Sequence, residues 1–256
     1  MNSILVTAIL TSMLVHASVD NAVATTVACP VQQVGFVAGA SSITLRGQLH
    51  APRCSDFAVS AAAGQTLYVK LENVSPQNYF TLTPPDSNVF MHVGQSGDSL
   101  RSIVPADGDY KIHVGVMDPA SSGNETSEFN LTIEISGQPL AALPPPADAV
   151  LPGKPFHAYA AIDCVPFLDQ TRQKCGAFVL RRDLERTATI ELHSAAGINR
   201  HILFVTGTPV ASDAQGQMTF TRKKNITRII FDDVEWYEIP DALFDENANK
   251  LLPWPY

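Results

Sequence analysis

The residues Gly97-Asp98-Ser99-Leu100 place a serine hydroxyl after a Gly-Asp pair. In an ester hydrolase such a serine attacks the acyl carbon, but only when a base removes its proton and fixed donors receive the oxyanion. Near neutral pH an unassisted hydroxyl stays protonated and is a weak nucleophile. The partners therefore decide whether Ser99 does chemistry.

In the hydrolases that share these four letters, the base is a histidine three residues after an aspartate near the C-terminus. Here the histidines after Leu100 are His113, His157, His193 and His201, and the residues three before them are Tyr110, Lys154, Ile190 and Ile198. None is an acid. The Gly-x-Asn-Asp block that would supply oxyanion donors is also missing, and Gly123-Asn124-Glu125 only approximates it. No Gly-x-Ser-x-Gly elbow occurs, and nothing in the sequence supports a triad assembled across the fold. The expectation is a protein that is not an enzyme, with Ser96, Gly97, Asp98 and Ser99 forming an exposed loop that acts by contact.

Other candidate chemistry is sparse. His92 and His113 flank the Asp107-Gly108-Asp109 turn, and Asp232, Asp233 and Glu235 cluster in another, but neither group has the spacing of a zinc helix or a Ca²⁺ loop. No metal and no cofactor is expected. Arg222-Lys223-Lys224, with Arg228 nearby, reads as a solvated hairpin tip. These charges are too few to hold nucleic acid against a chain of net charge −8.

The charge is uneven. From Thr25 to Ala149 acidic residues outnumber basic ones eleven to five, net −6, while Val150 to Tyr256 stands at −1. An acidic first half favours a cationic partner and disfavours anionic lipid. With 45% apolar and 16% charged residues the chain reads as folded, and its length leaves room for two domains.

The elements that must carry these residues are strands. Apolar residues alternate in Ile43 to Leu49, Phe57 to Val59, Leu67 to Leu71, Tyr110 to Val116 and Phe129 to Ile135, with turn residues at 63–65, 84–88 and 107–109 between them. Ser136 to Pro155 holds six prolines in twenty residues and reads as an extended linker over 138–155. Strands resume over 156–163, 177–181, 187–193, 201–206, 218–221, 226–231 and 236–239, with hairpin turns at 197–199 and 232–233. The fold class is all-β: an antiparallel β-sandwich over 25–137, then a small all-β domain over 156–245 and a tail over 246–256.

Ile4 to Val15 is an uncharged apolar run of signal-peptide length, although Met1 to Ser3 carries no Lys or Arg. Small residues permit cleavage after Ala17 or Ala24, and the second defines a leader over 1–24. No later run is long enough to span a bilayer. Cys29 and Cys54 fall in the first half, Cys164 and Cys175 in the second, and no C-x-x-C knuckle suggests zinc. An even split points to one disulfide per half, which fits a periplasmic or secreted protein.

Several stretches carry a resemblance. The Ala63-Gly64-Gln65 turn into Leu67-Tyr68-Val69, Tyr79-Phe80-Thr81-Leu82 running into Pro84-Pro85-Asp86, the Pro105-x-x-Gly108-x-Tyr110 corner and the Phe129 to Ile135 strand form one set. In them the first half resembles bacterial pre-peptidase C-terminal sandwiches and the periplasmic inhibitors of goose-type lysozyme. The second half is similar to an uncharacterised domain of secreted proteobacterial proteins. It shares the Cys164/Cys175 loop leading into Gly176 to Val179, the Ile202-Leu203-Phe204 strand and the Trp236 to Ala242 ending. The resemblance implies a non-catalytic envelope protein that binds a protein or a cell-wall glycan, and in its sharpest form an inhibitor of a cationic lysozyme. Several inhibitor families insert a Ser-Gly-x-x-Tyr loop. Here Leu100 stands where Tyr is expected, and the Asp98 charge would repel a catalytic carboxylate.

Overall fold

The structure, a computed structural model, describes residues 28–50, 54–73, 78–117, 126–141 and 156–245. The leader, the C-terminal tail and most of the Pro-rich segment lie outside these residues.

Nine strands make the first half: β1 (Val31–Val34), β2 (Ser42–His50), β3 (Ser55–Ala61), β4 (Thr66–Asn73), β5 (Asn78–Thr83), β6 (His92–Gln95), β7 (Ser99–Ile103), β8 (Gly108–Val116) and β9 (Thr126–Ser136). They form a five-stranded sheet in the order β1-β3-β8-β5-β6 and a four-stranded sheet in the order β2-β9-β4-β7. All pairings are antiparallel except β1 with β3, which is parallel. Strict alternation along β8 and β9 sends every second side chain inward, so Ile112, Val114, Leu131 and Ile133 are fully buried between the sheets with Val59, Val69, Leu71 and Phe80. Gly47 of β2 lies opposite Phe129, and a Cβ there would come within 2.3 Å of that ring. The glycine leaves the space that the buried phenyl fills.

The Pro105 to Tyr110 corner closes this core. The Tyr110 hydroxyl donates to Ala106 O at 2.9 Å and accepts from Ala106 N at 3.3 Å, while Gly108 (φ 139°) turns the chain against Pro85. Burial drives the Tyr110 phenol well above its ordinary range, so it stays a donor.

The second half contributes β10 (Ala158–Val165), β11 (Gln173–Arg181), β12 (Ala188–His193), β13 (Asn199–Val205), β14 (Thr208–Ser212), β15 (Met218–Lys223), β16 (Ile226–Phe231), β17 (Glu235–Pro240) and the 3₁₀ turn η1 (Asp241–Phe244). They make one antiparallel sheet in the order β14-β13-β12-β11-β10-β17-β16-β15, curled until the two edge strands approach each other like the seam of a barrel. Its concave face is filled by Val179, Ile190, Ile202, Phe204, Ile229 and Ile239, and η1 plugs it with Leu243 and Phe244. Asp232 and Asp233, both at positive φ (47° and 60°), form with Val234 the three-residue turn between β16 and β17, closed by Val234 N donating to Phe231 O at 3.1 Å.

The disulfides pair locally, Cys29 with Cys54 and Cys164 with Cys175. Four short strands escape the sequence pattern, namely β1, β6, β7 and β14. The chain near Phe90 is not a strand, since β6 begins at His92. The first residues of the Pro-rich segment do not float between the halves. Leu140 N donates to Ala63 O at 2.9 Å, and Asp183 N donates to Ala141 O at 3.2 Å.

Candidate functional site

Ser96, Gly97 and Asp98 form the turn that carries the chain from β6 in one sheet to β7 in the other. The expectation of one loop through Ser99 needs correction, because Ser99 is the first residue of β7 and, with Leu100 after it, pairs with Lys70 and Val69 of β4. Gly97 is at φ 91°, and a Cβ there would meet nothing, so conformation rather than crowding calls for glycine. The turn is tied down by its own backbone. Ser96 N donates to Asn78 O, Gly97 N to Leu71 O and Asp98 N to Gln95 O, at 2.9 to 3.0 Å. The Asp98 carboxylate accepts from Gln95 N at 2.7 Å. The three N–H groups at the tip are therefore spent, and the donors left for a ligand are the Ser96 and Ser99 hydroxyls.

Ser99 is exposed and makes no side-chain hydrogen bond with a described residue. His92 sits before the turn on the opposite sheet, where its ring packs on Phe80 and burial holds its pKa below the ordinary imidazole range. Among the described residues no histidine or carboxylate hydrogen-bonds the Ser99 hydroxyl.

Pairing places Ser99, Arg101 and Ile103 of β7 on the solvent side of the four-stranded sheet, in line with Lys70, Tyr68 and Thr66 of β4. Arg101 lies 4.6 Å over the Tyr68 ring and 3.8 Å from Glu134, and Lys70 pairs with Glu72. Thr44 bonds Thr132 at 3.0 Å, and Gln48 donates to Glu128 at 3.0 Å. At the β2 end of this face a groove of about 810 Å³ is lined by Arg46, Gln48, Glu72, Glu128 and Asn130 over the Gly47–Phe129 pair. Guanidinium, carboxylate and amide groups converge here on one flat surface. Such planar groups bond hydroxyl-rich or polar ligands, and three cations balance three anions, so the acidity of the first half does not reside on this face.

Other polar residues that the sequence left unassigned come together between the halves. The Arg182 guanidinium, 1% exposed, donates to Asp107 at 2.9 Å, to Leu140 O at 3.2 Å and to Thr189 Oγ1 at 2.9 Å. Thr189 in turn donates to Pro105 O at 3.0 Å. Nearby, Asp213 accepts from His201 N and bonds His201 Nδ1, both at 2.9 Å. Asp107, one of the acids counted toward a cationic partner, is thus committed inside the chain. Glu235 does not join Asp232 and Asp233 at a turn. It points into the curled sheet, holds Arg200 in two bonds of 2.8 and 2.9 Å, and accepts from Tyr237 at 2.7 Å. Of the basic cluster, Arg222 pairs with Asp241 and Arg228 with Glu238, leaving Lys223 and Lys224 at the β15–β16 tip.

No family model matches the chain, and no curated protein matches it. Among solved structures it is similar to the Aeromonas hydrophila PliG, a periplasmic inhibitor of g-type lysozyme, at 24% identity and TM-score 0.39 over 42% of this chain and 97% of that one. It is similar to the Salmonella Typhimurium PliG at 18% identity and TM-score 0.34, over 43% of this chain and 100% of that one. The pre-peptidase C-terminal domain of a Bacillus anthracis collagenase is similar at 13% identity and TM-score 0.32, over 43% and 97%. These are the two groups that the first half of the sequence resembles.

Proposed function

We propose that this is an exported, non-enzymatic binding protein of the periplasm or cell exterior. It holds a protein or a cell-wall glycan on the outer face of the four-stranded sheet, with the Ser96 to Ser99 turn at the rim. The observation that carries this reading is the face itself. Arg101, Tyr68 and Glu134 are already in mutual contact, and Gln48 and Glu128 line an open groove, so the surface is ordered before a ligand arrives. Two disulfides support export, since such bonds persist in oxidising compartments. The lone Ser99 hydroxyl supports contact rather than turnover.

Inhibition of a cationic lysozyme is the sharper form of this reading, and the PliG proteins to which the chain is similar are periplasmic inhibitors of g-type lysozyme. Because the turn spends its N–H groups internally, inhibition would act through the Ser96 and Ser99 hydroxyls and the sheet face.

Mature protein is mixed with peptidoglycan in a sedimentation assay and with c-, g- and i-type lysozymes in a lytic assay. Binding to at least one is expected, lost when Arg46→Glu and Arg101→Glu are combined; Ser99→Ala should keep peptidoglycan binding and weaken any lysozyme inhibition. If no ligand binds, or the double variant binds like wild type, the sheet face is not the site. If peptidoglycan sediments the protein while every lysozyme works at full rate, the inhibitor form fails and the glycan form stands.

A further inference from the structure

The two disulfides differ in their surroundings. Cys164 and Cys175 are both fully buried, whereas Cys29 and Cys54 are partly exposed. Cys29 precedes β1, Cys54 precedes β3, and His113 of β8 pairs with Asp56 of β3. The Sγ atoms of the two cysteines and a ring nitrogen of His113 lie within 4.8 Å of one another. His113 Nδ1 is 3.8 Å from Cys29 Sγ and 2.6 Å from Asp56 Oδ1, and Nε2 bonds the Tyr79 hydroxyl at 3.3 Å.

Tetrahedral zinc, with Zn–S of about 2.3 Å and Zn–N of about 2.0–2.1 Å, separates sulfur from nitrogen by about 3.6 Å and sulfur from sulfur by about 3.8 Å. The Cys29–His113 separation already has nearly that value. Two things must change: the sulfur pair parts from a bond of about 2 Å, and His113 Nδ1 gives up its hydrogen bond to Asp56. We propose that the dithiol form of Cys29 and Cys54 is a zinc site, with His113 Nδ1 as the third ligand and water as the fourth. An external dithiol supplies two electrons and two protons and leaves as its own disulfide, giving two thiols on the protein. Zinc then displaces those protons as it binds the thiolates. In the zinc form Nδ1 carries no proton, so the ring proton lies on Nε2, where the Tyr79 hydroxyl at 3.3 Å accepts it and holds the ring. Exposure lets the attacking thiolate reach this disulfide before the buried one.

The full chain is reduced with a water-soluble phosphine, which takes up water oxygen to become its oxide, and is then titrated with Zn²⁺ against a chromogenic chelator. One zinc per chain is expected in the reduced wild type and none in the untreated protein. His113→Ala, which removes a ligand, should weaken it by more than the roughly 10- to 100-fold that loss of an outer-shell partner such as Tyr79 costs. A chain with Cys164→Ser and Cys175→Ser should bind as wild type does, and one with Cys29→Ser and Cys54→Ser should not compete with the chelator. Circular dichroism checks each fold, and the His113→Ala comparison decides alone if a cysteine variant fails to fold. Reduced wild type that competes no better than the Cys29/Cys54 variant, or undiminished binding in His113→Ala, overturns the proposal.

Discussion

Asp213→Asn tests whether His201 is held as a cation between the two halves. The Asp213 side chain is wholly buried, and His201 is only 5% exposed. Burial alone would lower the imidazole pKa. The hydrogen bond and charge of Asp213, with Glu191 at 3.9 Å and Asp86 of the sandwich, outweigh it and hold the group above its ordinary value. A folded-state pKa above the unfolded one stabilises the fold fully below the unfolded value of about 6.5 and loses that contribution as pH rises through the folded value. In Asp213→Asn the burial remains and the main counter-charge is gone, so protonating His201 now opposes folding. At pH 5.5 the variant should lose roughly 3–5 kcal/mol, the cost of breaking a buried charged pair from one side. Toward pH 9, as the imidazole gives up its proton in both proteins while Asn can still accept the His201 N–H, the loss should shrink toward about 1 kcal/mol. Urea unfolding of both proteins at the two pH values gives the difference, in which the other carboxylates cancel. A loss equal at both pH values, or larger at pH 9, refutes the charged His201–Asp213 pair.

Arg182→Ala removes three bonds at the junction, and the fold should lose about 2–3 kcal/mol, below a fully buried pair because Asp107 is half-exposed and solvent screens it. Calorimetry should then resolve two unfolding transitions where wild type shows one or a narrower pair. Tyr110→Phe strips the corner of its bond to Ala106 O and should cost about 1–1.5 kcal/mol by urea titration, with the sandwich otherwise unchanged. Ser99→Ala should leave stability within about 0.5 kcal/mol and alter no ester turnover measured with short acyl substrates, since the hydroxyl has no base to lose.

What the sequence shows depends on how each strand is buried. β8, β9, β16 and β17 alternate cleanly because one face meets the core and the other meets water or polar neighbours. β6, β7 and β14 are short edge strands, and their residues HVGQ, SLRSI and TPVAS contain Gly94, a mostly exposed set and Pro209 in turn. None of these makes an apolar rhythm, so the turn around Gly97 reads as longer in the sequence than it is in the fold. β12 errs the other way. Ala188, Ile190 and Leu192 read as one face, and Thr189 and Glu191 as the wet one, yet both faces are buried because the outer one meets Pro105 and the junction. Nothing local announces that second layer. Arg200 and Glu235 did leave a signal, since each occupies the core phase of its strand beside Ile202 and Tyr237, where a lone charge needs an opposite one. The polar sheet face around Arg101 and Gln48 was visible only as the complement of the apolar positions, because its coherence depends on which strands pair.

The strand order of the smaller sheet also sets a timetable. Ser42 of β2 pairs with Glu134 of β9, and β9 is the sole neighbour of β2, so this strand leaves an export channel long before its partner exists. Through that interval Ile43, Leu45 and Leu49 are an unpaired, sticky ribbon, and the sheet can assemble only when nearly all of the first half has crossed. The slow step in making this protein should therefore be the capture of β2, and a periplasmic holdase would be needed most by the chain that has emerged as far as β8.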